Sequence, residues 1–190
     1  MSREVEDCNE GTARAKGTNR RGSLAQIPGI ALLAKRSDAE LIQLRAALDL
    51  EMRRRRVAYS VGAVGERLVV EYFRVTPGLP KLQHAPAGTK NVDALSRTGD
   101  RYSIKTICNA KKTGTVYPDG ATPSKQLFEF LLLARLADDW SLAAIYQFSW
   151  EQFVALRSWD KRMNAWYVAV SSRTLSAATT VFFREVASAQ

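Results

Sequence analysis

The chain has little cysteine, histidine or acid: two cysteines, one histidine, and 19 Asp and Glu against 28 Lys and Arg in 190 residues. Each shortage excludes something. Cys8 and Cys108 stand far apart, the first in a polar N-terminal stretch, so a structural disulfide is not expected and a reducing, cytoplasmic setting is. No Cys/His spacing of a zinc site is present. No apolar run approaches the roughly 20 residues a membrane helix needs, and no signal-peptide stretch opens the sequence, so neither secretion nor a membrane span is expected. The shortage of acid leaves a net charge of +9, which favours a polyanionic partner such as nucleic acid or an acidic membrane surface.

With 46% hydrophobic and 25% charged residues, what remains has the composition of an ordinary globular protein. The length suits one domain with an appendage. Residues 1–36, rich in Gly, Ser, Thr, Asn and scattered arginines, read as a flexible, disordered basic arm, with "IPGIALLA" as a segment able to dock. Residues 37–190 read as the folded domain.

Helical signals come first. Ser37-Asp38-Ala39-Glu40 has the form of a capping box, and Leu41, Leu44, Leu48 and Met52 follow at helical spacing up to about residue 56, where four arginines suit the negative end of the macrodipole. Ser60 can cap a second helix with Val61, Val64, Leu68 and Tyr72 on one face. At about 100° per residue, Glu66 falls at the edge of that apolar arc and is its inward-pointing acid. Past "TPGLP", strands are expected at 81–85, 91–97 and 101–107, then a Lys/Gly-rich loop over 108–125. "LFEFLLLARL" and "SLAAIYQFSW" read as a central hairpin, the first being open to a helical reading as well. A helix from Trp150 to Trp159, a strand over 165–170 and a closing helix from Arg173 complete an α/β arrangement, a mixed central sheet flanked by helices.

Within the hairpin of residues 91–107, Ser103 and Lys105 share one strand face. A three-residue loop at Thr98-Gly99-Asp100 sets Asp93 directly opposite Lys105, whereas a two-residue loop pairs Asp93 with Thr106 and sends the lysine to the other face. An inward glutamate, a strand aspartate and a lysine on the partner strand form the set that metal-dependent phosphodiester cleavage requires. Carboxylates hold Mg²⁺, the ion lowers the pKa of a bound water, and the ammonium orients that water. The plainer reading is an ion pair stapling a hairpin, and D…xIK alone is a weak motif.

Gly65-Glu66 on a helix, Val92-Asp93 opening a hairpin and Tyr102-Ser103-Ile104-Lys105 closing it resemble the PD-(D/E)XK nucleases of the restriction-endonuclease-like superfamily, over roughly residues 60–107. The resemblance implies a restriction-endonuclease-like fold and a Mg²⁺-dependent DNA endonuclease of restriction or defence type, with Mn²⁺ as a substitute ion. It implies Glu66, Asp93 and the Ile104 carbonyl as metal ligands and Lys105 as the water-positioning lysine. It also implies duplex DNA as partner, and a homodimer. Ser103 stands where the family carries an acid, which makes Glu66 the recruited carboxylate, with Asp119 or Glu129 as substitutes. A non-catalytic DNA-binding module with an eroded site is the alternative. Lys111, Lys112 and Lys125 in the 108–125 loop are the expected phosphate contacts, an exposed flexible connection being the plainer reading. His84 is expected to be structural, and the tryptophans mostly core.

Overall fold

The computed structural model describes residues 29–184. The expected arm lies mostly on residues 1–28, outside that range; of its remainder, Ile30–Leu33 form one helical turn, α1. Helix α2 spans Asp38–Arg54 and starts at the expected capping box, with the Glu40 backbone N donating to Ser37 Oγ and Glu40 accepting from the Ser37 backbone. Its leucines do not reach the core. Leu44 and Leu48 are 46% and 56% exposed, and no residue of α2 is buried, because the helix stands at the surface with its internal ion pairs Arg45–Asp49 and Arg54–Glu51.

Helix α3, Val61–Val75, is capped by Ser60, whose hydroxyl accepts from the Ala63 N–H. It lies across one face of a six-stranded mixed sheet with strand order β1-β2-β3-β4-β5-β8. The strands are β1 Leu82–His84, β2 Ala94–Ser96, β3 Arg101–Ile107, β4 Phe130–Leu136, β5 Leu142–Ser149 and β8 Thr179–Phe183. β3 and β4 run parallel and every other neighbouring pair is antiparallel. This bears out the α/β class and the mixed sheet. Among the described residues no helix is long and apolar enough to cross a membrane.

Two cores flank the sheet. Under α3, Val64, Val69, Val70 and Phe73 pack on Tyr102, Ile104, Leu132, Ala134 and Ile145. On the opposite face, Leu131, Leu133, Tyr146 and Phe148 meet Val116, Phe128, Phe153 and Val168. Leu131–Ala134 are therefore covered on both sides, which explains why "LFEFLLLARL" is a continuous apolar run yet a strand.

The C-terminal third departs from the expectation. The helix opened by Ser149 ends at Leu156 (α4, Trp150–Leu156), and Arg157–Asp160 (β6) turn back to pair with Ala165–Val168 (β7). The closing helix is one short turn, α5, Ser172–Ser176; after it the β-branched Thr179-Thr180-Val181 extend as β8 along β5. An open edge of β5 outweighs the weak local helix signal there. The tryptophans divide evenly: Trp150 and Trp166 are half-buried and pack against the core of the face opposite α3, whereas Trp140 and Trp159 are each 37% exposed.

Arg101 and Glu129 tie the starts of β3 and β4. The guanidinium donates to both carboxylate oxygens at 3.1 and 2.7 Å, and the Arg101 backbone N adds a bond of 2.6 Å. These donors hold the Glu129 carboxyl below its ordinary value of 4.5, the guanidinium being the largest cause. A carboxyl depressed in the folded state contributes stability that is present above pH 4.5 and lost as pH falls through the lower, folded value. Glu129→Gln is thus expected to lower stability at neutral pH, where the pair's contribution is fully present, and to approach the parent in acid, so that the acid limb below pH 4.5 flattens. Urea midpoints measured across that range check it; an unchanged acid limb would remove the pair from the acid response.

Candidate active site

The hairpin that carries the site turns one residue earlier than expected. The Ser96 N–H donates to the Asp100 carbonyl at 2.9 Å, leaving Arg97-Thr98-Gly99 as the loop, with Gly99 at φ 93°. Side chains fix this choice: Ser96 Oγ and Thr98 Oγ1 both donate to Asp100 Oδ2, at 2.9 and 2.7 Å, and hold that carboxyl below its usual range. Ala94 then faces Tyr102 and Leu95 faces Arg101, a register that brings Asp93 toward Ser103 rather than directly opposite Lys105. The pairing differs from the expected one by two residues. An even displacement keeps every side chain on its face, and Asp93, Ser103 and Lys105 share one.

β2 begins at Ala94, and at Asp93 the backbone N–H still donates to the Tyr102 carbonyl of β3 at 2.8 Å. The Asp93 carboxylate covers the next stretch of the β3 edge. Its Oδ2 accepts from the Ile104 backbone N–H at 2.6 Å and from Ser103 Oγ at 3.3 Å, and stands 3.6 Å from Lys105 Nζ. Within a strand the N–H and C=O of one residue point to the same edge, so the Ile104 carbonyl projects beside the carboxylate. The Asp93 and Lys105 side chains retain 26% and 16% of their exposure, a setting in which the pair is worth more than a surface ion pair and a lost partner costs more.

Glu66 is placed differently. α3 approaches the sheet at Gly65, where a Cβ would collide with the Thr106 side chain, and Glu66 follows at the helix edge. Its Oε1 lies 3.0 Å from His84 Nδ1 on β1. His84 pairs with Ala94, which belongs to the core under α3, so this couple sits toward the helix side of the sheet while Asp93 and Lys105 share the other face. The half-exposed Glu66 is inward only as far as His84. The substitutes are engaged elsewhere, Glu129 with Arg101 and Asp119 with the Ala121 and Thr122 N–H groups and Lys125. Among the described residues no group of three or more His, Cys, Asp or Glu could hold a metal ion.

The 108–125 loop is docked rather than a free connection. Thr113 N donates to the Val168 carbonyl and Val168 N to Thr113 Oγ1, Val116 and Trp166 exchange backbone hydrogen bonds, and Gly114 lies against the Lys105 stem. Asn91, at φ 60°, clamps the far end, its side chain bonding both the carbonyl (2.9 Å) and the N–H (3.2 Å) of Tyr117. Of the expected phosphate contacts, Lys111 is exposed, Lys112 pairs with Asp160 at 2.8 Å, and Lys125 with Asp119 at 3.4 Å. Both paired lysines are more than half exposed, and pairs of this kind are weak and exchange readily for a phosphate. Asn91, Tyr117 and Lys90 escaped the sequence reading. The available signal was Asn91 itself, since asparagine tolerates the left-handed region and bonds to nearby backbone.

No protein-family model matches this chain, and no curated protein is significantly similar to it.

Proposed function

We propose that the chain is a Mg²⁺-dependent endonuclease hydrolysing DNA phosphodiester bonds, of the restriction or defence type, acting through Asp93 and Lys105. One observation carries the reading: the Asp93 carboxylate, the Ile104 backbone, the Ser103 hydroxyl and the Lys105 ammonium converge where β2 leaves β3, in a chain of net charge +9.

The donors suit a hard cation. Mg²⁺ takes oxygen ligands, keeps several waters and needs only one or two carboxylates; Asp93 Oδ1, which accepts no hydrogen bond among the described residues, and the Ile104 carbonyl are of that kind. Mn²⁺ takes the same ligands. When bound, such an ion would supply charge against the scissile phosphate and a water of lowered pKa. The protein's own groups do the rest. Ile104 N–H and Ser103 Oγ hold the carboxylate in one orientation, and Lys105 presents an ammonium to the attacking water and to the charge that builds on the phosphoryl oxygens. Glu66, which His84 holds toward the helix side of the sheet, would have to leave that partner to serve as a second carboxylate. A homodimer, needed to cut both strands together, belongs to the same reading.

The test is incubation of the protein with supercoiled plasmid at low salt, with Mg²⁺, Mn²⁺ or EDTA. Nicked or linear product is expected only with a divalent ion, and Glu66→Gln is expected to move the metal midpoint to higher concentration. An unchanged titration would remove Glu66 from the site. The non-catalytic DNA-binding module is favoured by the single carboxylate at Asp93, with Ser103 in the acid's place and Glu66 on His84. Duplex binding with no nicking under any ion would decide for it.

A further inference from the structure

Beside Asp93 lies a cleft of about 640 Å³, within the range of small-ligand sites. Val92, immediately before Asp93, and Leu127 form apolar lining; Tyr117 and Pro118 line it from the docked loop; Lys90 and Lys125 add ammonium groups. Tyr117 is 47% exposed even though its backbone is fixed at both polar atoms by Asn91. Its ring is therefore carried on a fixed main chain and stays about half exposed at the cleft. Lys90 makes no ion pair among the described residues. Arg101, also in the lining, shares its strand face with Ser103 and Lys105, so the cleft and the Asp93–Lys105 pair open on the same side of the sheet.

A half-exposed aromatic ring among apolar residues, with cations beside it, is the chemistry that receives a base and its phosphate. A stacked duplex offers no free base to such a recess, because its bases are covered by their neighbours. We infer that this cleft takes one unstacked nucleotide of a polynucleotide strand, its base on Tyr117 and its phosphate toward Lys90 and Lys125, next to the phosphodiester held at Asp93 and Lys105. This rests on the reading of that pair as a nuclease site and deepens it: the preferred substrate is single-stranded, or duplex with an unpaired nucleotide at the point of cleavage.

The experiment is equilibrium anisotropy in EDTA, where no cleavage occurs, using a fluorescein-labelled oligothymidylate of about twelve nucleotides and a blunt duplex of equal length, with thymidine monophosphate as competitor. The parent chain is expected to bind the single strand more tightly than the duplex. Tyr117→Ala is expected to weaken the single strand at least about fivefold and the duplex less than about twofold, and Tyr117→Phe to retain the parent affinity, since stacking needs the ring and not the hydroxyl. Asn91 holds the Tyr117 backbone in both variants, so the loop stays docked. Equal loss for both ligands, or none for either, overturns the cleft assignment while leaving the nuclease reading standing. Competition by the monophosphate as effective as by the oligomer overturns it in favour of a free-nucleotide site. Failure of both polynucleotides to bind overturns the nucleic-acid reading, and the cleft assignment with it.

Discussion

Lys105→Ala is expected to abolish divalent-ion-dependent nicking, a loss of about 10²–10³-fold or more, while duplex binding in Ca²⁺ stays within about twofold of the parent. The magnitude is that of removing one preorganised donor from where charge develops. The selectivity follows from position. Lys105 is only 16% exposed and faces Asp93 rather than the solvent, so it adds little to phosphate attraction over the surface as a whole. The variant should remain folded, because Asp93 keeps its bonds from Ile104 N–H and Ser103 Oγ. Thermal unfolding alongside the plasmid assay checks that point. A variant as active as the parent would leave the Asp93–Lys105 pair as a hairpin staple and turn the conclusion toward the binding module.

Gly65→Ala should be the most damaging glycine-to-alanine change among the described residues. A methyl inside a helix ordinarily helps by about 0.5–1 kcal/mol. Here it meets the Thr106 side chain, and Thr106 sits in the sheet interior with its Oγ1 buried and without a hydrogen-bond partner. A β-branched neighbour on a strand cannot swing aside, so α3 must lift from β3. Overpacking of this kind costs typically 1–3 kcal/mol, and the near-total overlap points to the upper part of that range. A net loss of about 2 kcal/mol, or a fall in Tm of about 4–8 °C, is expected. Gly65→Ala with Thr106→Ala should recover part of the loss, because it removes the two outer Thr106 atoms and a polar group that was buried unpaired. Urea unfolding of the two single variants and the double variant measures the coupling. Gly65→Ala as stable as the parent would mean that α3 does not seat on Thr106. Since Glu66 and Lys105 are chain neighbours of these two residues, the same seating sets the distance between helix and site.

The closing helix expected from Arg173 shows where local reading stops. Leu175, Ala177 and Ala178 suit a helix, and a turn of one does form. Beyond that turn an unpaired strand edge takes over: β5 accepts Thr179–Phe183 as a neighbour, with Phe182 packing against Tyr72 of α3 at a centroid separation of 5.0 Å. No window of the sequence around residue 180 contains β5 or α3. Glu66 illustrates the same limit at the site. Its place at the edge of an apolar arc follows from helical period alone, but its partner, His84, comes from a strand beyond the "TPGLP" break.

Features that depend on neighbours within a few residues were legible in the chain alone. The Ser37 and Ser60 caps start α2 and α3 because a hydroxyl satisfies N–H groups two or three positions on. A turn at Gly99 closes a hairpin, and alternation along its strands places Asp93, Ser103 and Lys105 on one face whichever even register is taken. The register has a local cause as well, the Ser96 and Thr98 hydroxyls on Asp100, although alternation alone left the loop length open. The folded molecule decided the docking of the lysine-rich loop on Lys105 under the Asn91 clamp, and the closure of the sheet by β8. Those outcomes are contests between partners distant in the chain, and they go to whichever contact buries more surface and leaves fewer polar groups unpaired.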